Sequence, residues 1–169
     1  MKRILACHDG SEEASRGLVD FVKAQGEPVH VTVFHVLEHF PPGLLEHEGS
    51  EIPEEKEALE RQVEERRRRW IAERSAAVEP TLRAVVGELE ELSPRGETPE
   101  LKIVPSYVVN DFLPLLQDEV DTGRYDEVVV VHHPHSWWKQ FLHRTETERV
   151  SKKLHNVSVR VVECPPAEG

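Results

Sequence analysis

Five histidines fall at or just beyond the ends of three apolar runs: His8, His35, and the trio His132, His133 and His135. Neutral imidazoles gathered at one point suit zinc, nickel or copper, and protonated ones suit an anion. A divalent metal held by His8, His35, His132 and His133 is therefore one reading. The other is that these are separate strand-end side chains in a chain with ten histidines. No helical His-x3-His pair and no Cys–His spacing fixes two ligands on one element. The two cysteines, Cys7 and Cys164, sit in or beside apolar runs and make neither a disulfide framework nor a cysteine-rich metal pattern. Catalytic signals are absent in the same way. Ser11 and Ser136 read as cap and loop residues, no G-x-S-x-G elbow occurs, and no nucleophile–base arrangement stands out. A binding protein rather than an enzyme is the expectation.

The elements that must position these residues follow from periodicity. Arg3–His8 is a short apolar run ending in Asp9-Gly10-Ser11, a buried strand passing into a helix capped by Ser11. Glu12 and Glu13 suit that helix's first turn, and Leu18, Phe21 and Val22 recur at helical spacing. Val29–Leu37 is β-branched and aromatic, a second strand. A proline-rich loop over 40–53 precedes a charged helix from about Glu54 to Leu92, with Pro80 expected to kink or split it. Its apolar stripe runs through Leu59, Val63, Trp70, Val78, Leu82, Val85, Leu89 and Leu92. Leu101–Val109 is a third strand, and Pro105 inside it argues for a sheet edge. A short helix carrying Phe112, Leu115 and Leu116 follows, with Asn110 or Asp111 as its cap. Asp126–Val131, uniformly apolar after its start, is a central parallel strand. A helix over Thr145–Leu154 then leads to a fifth strand, Val157–Val162.

This β-α alternation predicts an α/β fold: one five-stranded parallel sheet with helices on both faces. In such sheets ligands bind outside the carboxyl ends of the strands, where strand order reverses. The tips Cys7-His8-Asp9, His35-Val36 and Val131-His132-His133 are the places to inspect.

Three of these segments together resemble the universal stress protein family. The first strand ends in Asp9-Gly10-Ser11-Glu12, and the second ends in His35-Val36-Leu37. Asp126–Val130, a loop and then Thr145-Glu146-Thr147-Glu148-Arg149-Val150 is similar to the family's last strand, glycine loop and hydroxyl-initiated helix. The resemblance implies a Rossmann-like sheet of order 3-2-1-4-5 and one domain over 1–169, enlarged by a helical insertion at about 40–99. It also implies stress-response binding or signalling, and a homodimer formed through Val157–Val162. Nucleotide-binding members carry G-x2-G-x9-G-[S/T]. The matching positions here are Val131, Pro134, Arg144 and Thr145, so only the hydroxyl survives. Glycines at such places let backbone N–H groups close on phosphates at positive φ, and proline has no N–H at all. Weak or absent ATP binding is expected. The residues left to meet an adenine nucleotide are Asp9, Gly10, the main chain at Val36, Arg144 and Thr145. The alternatives are an ATP or AMP sensor despite the altered loop, and the metal-binding protein above.

Bulk properties bound the partners. The chain has 169 residues, suited to one domain, and a net charge of −11 that disfavours nucleic acid and anionic membrane. Arg66–Arg69 is a run of four arginines, but Glu64 and Glu65 precede Arg68 and Arg69 at i,i+4, and Glu57–Arg61 repeats the spacing. A salt-bridged, solvated helix face explains it. No apolar run is long enough to span a bilayer, and the start reaches an acid too early for a signal peptide, so a cytoplasmic address is expected. Trp137-Trp138 followed by Phe141-Leu142 reads as core or dimer packing, with a surface for an unknown protein partner as the other option.

Overall fold

A computed structural model describes residues 1–38, 51–92, 98–106, 112–134 and 157–164. Five strands form one sheet: β1 (Lys2–His8), β2 (Val29–Leu37), β3 (Glu100–Pro105), β4 (Glu127–His132) and β5 (Ser158–Glu163). All pairings are parallel and the order is β3-β2-β1-β4-β5, as the alternation and the family resemblance imply. β3 pairs with β2 alone, at the edge, and its last residue is Pro105, opposite Leu37. A proline there costs no ladder bond that a central strand would need. Residues 107–109 of the expected third strand, the Asn110 or Asp111 cap, Trp137-Trp138 and the Thr145–Leu154 helix lie outside the described residues.

β4 begins one residue later than its apolar pattern suggests, because Asp126 is used as a clamp. Its carboxylate accepts the Arg3 amide at 2.8 Å, while its own N–H donates to the Arg3 carbonyl at 2.8 Å. β1 is thereby locked to β4 with Ile4 opposite Glu127.

Strand alternation splits the core into two layers. On one face Ile4, Ala6, Val31, Val33, Val129 and Val131 meet helices α1 (Glu12–Lys23) and α2 (Pro53–Glu91). On the other, Leu5, Cys7, Phe34, Val36, Val128 and Val130 meet α3 (Phe112–Gly123). α1 begins as expected, with Ser11 Oγ accepting the Ala14 amide at 3.1 Å and Glu12 and Glu13 in the first turn. The helix packs close to the end of β5: a Cβ on Gly17 would collide with Cys164 Sγ, so a larger residue there requires the thiol to turn away.

α2 runs through Pro80 as one helix of 39 residues, neither split nor ended there. Pro80 and Ala76, whose carbonyl loses its N–H partner to the proline, are both exposed, so water can replace the missing bond. The apolar stripe reaches the core only at its C-terminal end. Leu82, Val85 and Leu89 are buried, whereas Leu59, Val63, Trp70 and Val78 are half-buried and Leu92 is exposed. No helix of the described residues is long and apolar enough to cross a membrane.

Candidate functional site

The carboxyl ends of β1, β2 and β4 lie side by side, and Asp9 is the residue that ties them together. Its side chain is 1 % exposed. One carboxylate oxygen accepts both the N–H and the hydroxyl of Ser11, at 2.9 and 2.5 Å, which fixes the entry to α1. The other accepts the His133 amide at 2.8 Å, reaching across to the end of β4. The His133 ring stands over the same oxygen with Nε2 at 3.8 Å, and its side chain is 31 % exposed. Three donors on one buried carboxylate satisfy most of its acceptor capacity. Asp9 thus holds two strand tips and a helix start in register.

The histidines sit around this centre in different layers. His8 and His35 are buried on the α1–α2 side of the sheet, and His132 is buried on the α3 side. The Gly10 amide donates to His8 Nδ1 at 2.9 Å, so the proton of the neutral ring is on Nε2, which donates to Ser15 Oγ at 2.9 Å. Ser15 Oγ in turn donates its hydrogen to the Ser11 carbonyl at 3.3 Å. Burial lowers the His8 pKa to about 4 against the opposing pull of Asp9, with His35 adding to the depression. The neutral ring is therefore the resident form at pH 7. In this tautomer His8 cannot take a proton from Ser15, and neither ring nitrogen has a lone pair left for a metal.

His35 donates from Nδ1 to the His8 carbonyl at 2.6 Å. Burial lowers its pKa too, opposed by that hydrogen bond and by Asp9. His132 donates from Nδ1 to the His133 carbonyl at 2.9 Å. His8, His35 and His132 thus each spend one ring nitrogen on the backbone of the strand tips. Among the described residues no group of three or more His, Cys, Asp or Glu side chains is arranged to hold a metal ion. Cys7 and Cys164 are buried, and burial is the main cause that raises both thiol pKa values away from the reactive thiolate.

Gly10 has φ +87°, a left-handed conformation, and a Cβ there would stand 3.0 Å from Val78 Cγ1 and 3.2 Å from His35 Cε1. Here α2 lies directly over the tips of β1 and β2. Val36 occupies the adjacent end of β2. The β2–β3 pairing continues to Leu37, while the β1–β2 pairing ends at Cys7 opposite Phe34. The last residues of β2 therefore overhang β1 next to Asp9. Val131 is fully buried in the core and paired with His8, and Pro134 follows the end of β4. Arg144, Thr145 and His135 lie outside the described residues. Two partners escaped sequence reasoning. Ser15 is one turn beyond Ser11 with nothing in its spacing to mark it, and Val78 belongs to a stripe whose landing place depends on how α2 crosses the sheet.

Comparison with known proteins agrees with this architecture. No protein with a curated description matches the sequence. Among solved structures, the hypothetical protein MJ0577, determined as a test case of structural genomics, is 19% identical with a TM-score of 0.57. That match covers 99% of this chain and 98% of the other. A universal stress protein from Archaeoglobus fulgidus is 15% identical over 96% of this chain and 94% of its own, with a TM-score of 0.47. A structure of the Archaeoglobus fulgidus protein in complex with dAMP is 15% identical over 96% of this chain and 98% of its own, with a TM-score of 0.43. The profile of the Universal stress protein family matches residues 1–163. The chain belongs to the universal stress protein family.

Proposed function

We propose that the chain is a non-enzymatic binding and signalling module of the stress-response type, whose strand-tip crevice grips ATP weakly or not at all. The observation that carries this reading is the fate of the loop positions. Val131 is a fully buried core residue, and Pro134 and Arg144 stand where the family pattern has its other glycines. The occupied carboxylate of Asp9 supports the same reading, since it has little capacity left for a ligand. Each backbone donor not presented to a triphosphate forfeits a charge-assisted hydrogen bond of about 1.5–3 kcal/mol. Losing two weakens binding by roughly a hundredfold or more.

The test is calorimetric titration with Mg-ATP and with AMP at pH 7.5. Millimolar or undetectable affinity is expected, and a low-micromolar constant or copurifying nucleotide would overturn the proposal. The overhang of β2, which leaves the Val36 main chain beside Asp9, favours the second reading, an adenine-nucleotide sensor, and such a result would establish it. Restoring glycine at Pro134 and Arg144 is the informative gain-of-binding variant. Val131→Gly is less so, because it also hollows the core.

Homodimerisation through 157–162 is part of the same proposal. β5 is the second edge of the sheet, and Val157, Val159 and Val161 remain only half-buried along it.

A further inference from the structure

α2 is too long for the sheet it covers. Its strands are parallel, so the crossover from β2 to β3 must run back from the strand tips to their starts. Val78 already lies over Gly10, just past the end of β1, and the Trp70 indole N–H reaches the Glu38 carbonyl, just past the end of β2, at 3.5 Å. Everything before Trp70 therefore extends beyond the tips. Residues 53–69 make an arm of about 25 Å at 1.5 Å per residue. No residue of this arm belongs to either core layer. Arg74 stacks on the Trp70 ring at 4.2 Å and stiffens the root.

The arm's charges are segregated along its axis. Residues 53–60 hold four glutamates against one lysine, a net −3, and residues 61–69 hold five arginines against two glutamates, a net +3. Glu64 pairs with Arg67 at 3.4 Å and with Arg68 at 3.6 Å, both within the basic half, so these contacts leave the separation of the two halves intact. The pairs expected from spacing between Glu57 and Arg61, and between Glu65 and Arg69, do not form among the described residues. Two segments of nearly equal length and opposite charge make the arm its own complement when a second copy lies antiparallel. The acidic half of each arm then faces the basic half of the other, and a parallel pair would set like against like. Half-buried Leu59 and Val63 lie near the middle of such a pair, where apolar contact adds to the charge match. We propose that the arm of α2 is a self-association element that pairs antiparallel with the arm of a second copy of this chain.

The pairing is independent of the ATP reading and of β5, so its test is local to the arm. Gln62 is exposed, uncharged and close to the boundary between the two halves. Gln62→Cys in the full chain should be joined to a second copy by a short bis-maleimide at micromolar protein. The unsubstituted chain should not be, since Cys7 and Cys164 are buried. Raising salt from 0.1 to 1 M, which shortens the screening length from about 10 to 3 Å, should cut the yield severalfold. Two charge variants carry the decision, both built on exposed positions in the Gln62→Cys chain. Arg66→Glu, Arg68→Glu, Arg69→Glu makes both halves net −3, and Glu54→Lys, Glu57→Lys, Glu60→Lys makes both halves net +3. Each alone should cross-link at least tenfold less than Gln62→Cys, and an equimolar mixture should regain the lost yield. No cross-linking of Gln62→Cys would overturn the proposal and assign the arm to a different partner. Equal yields in all charge backgrounds, or a yield that rises with salt, would overturn it as well.

Discussion

At the scale of single residues, the strand tips are organised by groups that a reader of the family pattern would assign to a ligand. Asp9 spends its carboxylate on Ser11 and His133, and His8 spends both ring nitrogens on Gly10 and Ser15. His8 also makes stability depend on pH. Its folded-state pKa, about 4, lies below the ordinary 6.5, so between those values the unfolded chain binds a proton that the folded chain refuses. The stabilisation is complete above about pH 6.5 and is lost as pH falls towards 4. His35 is displaced in the same direction and adds to the trend. From pH 7.5 to 5 the His8 contribution alone amounts to about 2 kcal/mol. Urea unfolding of the native chain should show that drop, and His8→Gln should flatten it. An unchanged pH slope in His8→Gln would show that another group carries it.

At the scale of elements, α2 divides into a docked end and an arm, and the two should respond differently to truncation. Leu82 is fully buried against the sheet, so Leu82→Ala should cost about 2–5 kcal/mol through lost transfer energy and a cavity. Leu59→Ala, outside the core layers, should cost less than about 1 kcal/mol. Chemical unfolding of both variants at pH 7.5 measures the contrast, and equal losses would mean the arm is packed as firmly as the docked end. The helix itself was legible in its sequence to within a residue at each end. Whether Pro80 would split it or leave it continuous was open in the sequence, because propensity charges proline its full interior cost. The actual cost depends on whether the orphaned carbonyl meets solvent.

For the whole molecule, the sheet leaves β3 and β5 as its two edges, and β5 is the one proposed to pair with a second chain. Val161 is half-buried and opposite Val130 on the inner side. Val161→Lys should raise the dissociation constant of the proposed dimer at least tenfold in sedimentation equilibrium, with circular dichroism confirming that the variant is still folded. An undiminished dimer in the variant would point to a different interface. Parallel pairing and the edge position of β3 were readable from the sequence, because β-α alternation, apolar period and Pro105 are local features, whereas the strand order came from the family resemblance. The altered loop was readable too, since Val131, Pro134 and Arg144 need only be counted from one another. What the chain alone did not reveal is which polar groups are already satisfied. Whether Asp9 is a ligand-binding acid or a clamp depends on the Ser11 and His133 donors, the latter 124 residues away. The sequence places the histidines at neighbouring strand tips, but the His8 and His132 rings divide between two faces because β1 and β4 present opposite parities there. Hydrogen-bond partners and burial are properties of approach between distant segments, so only the tertiary structure decided them.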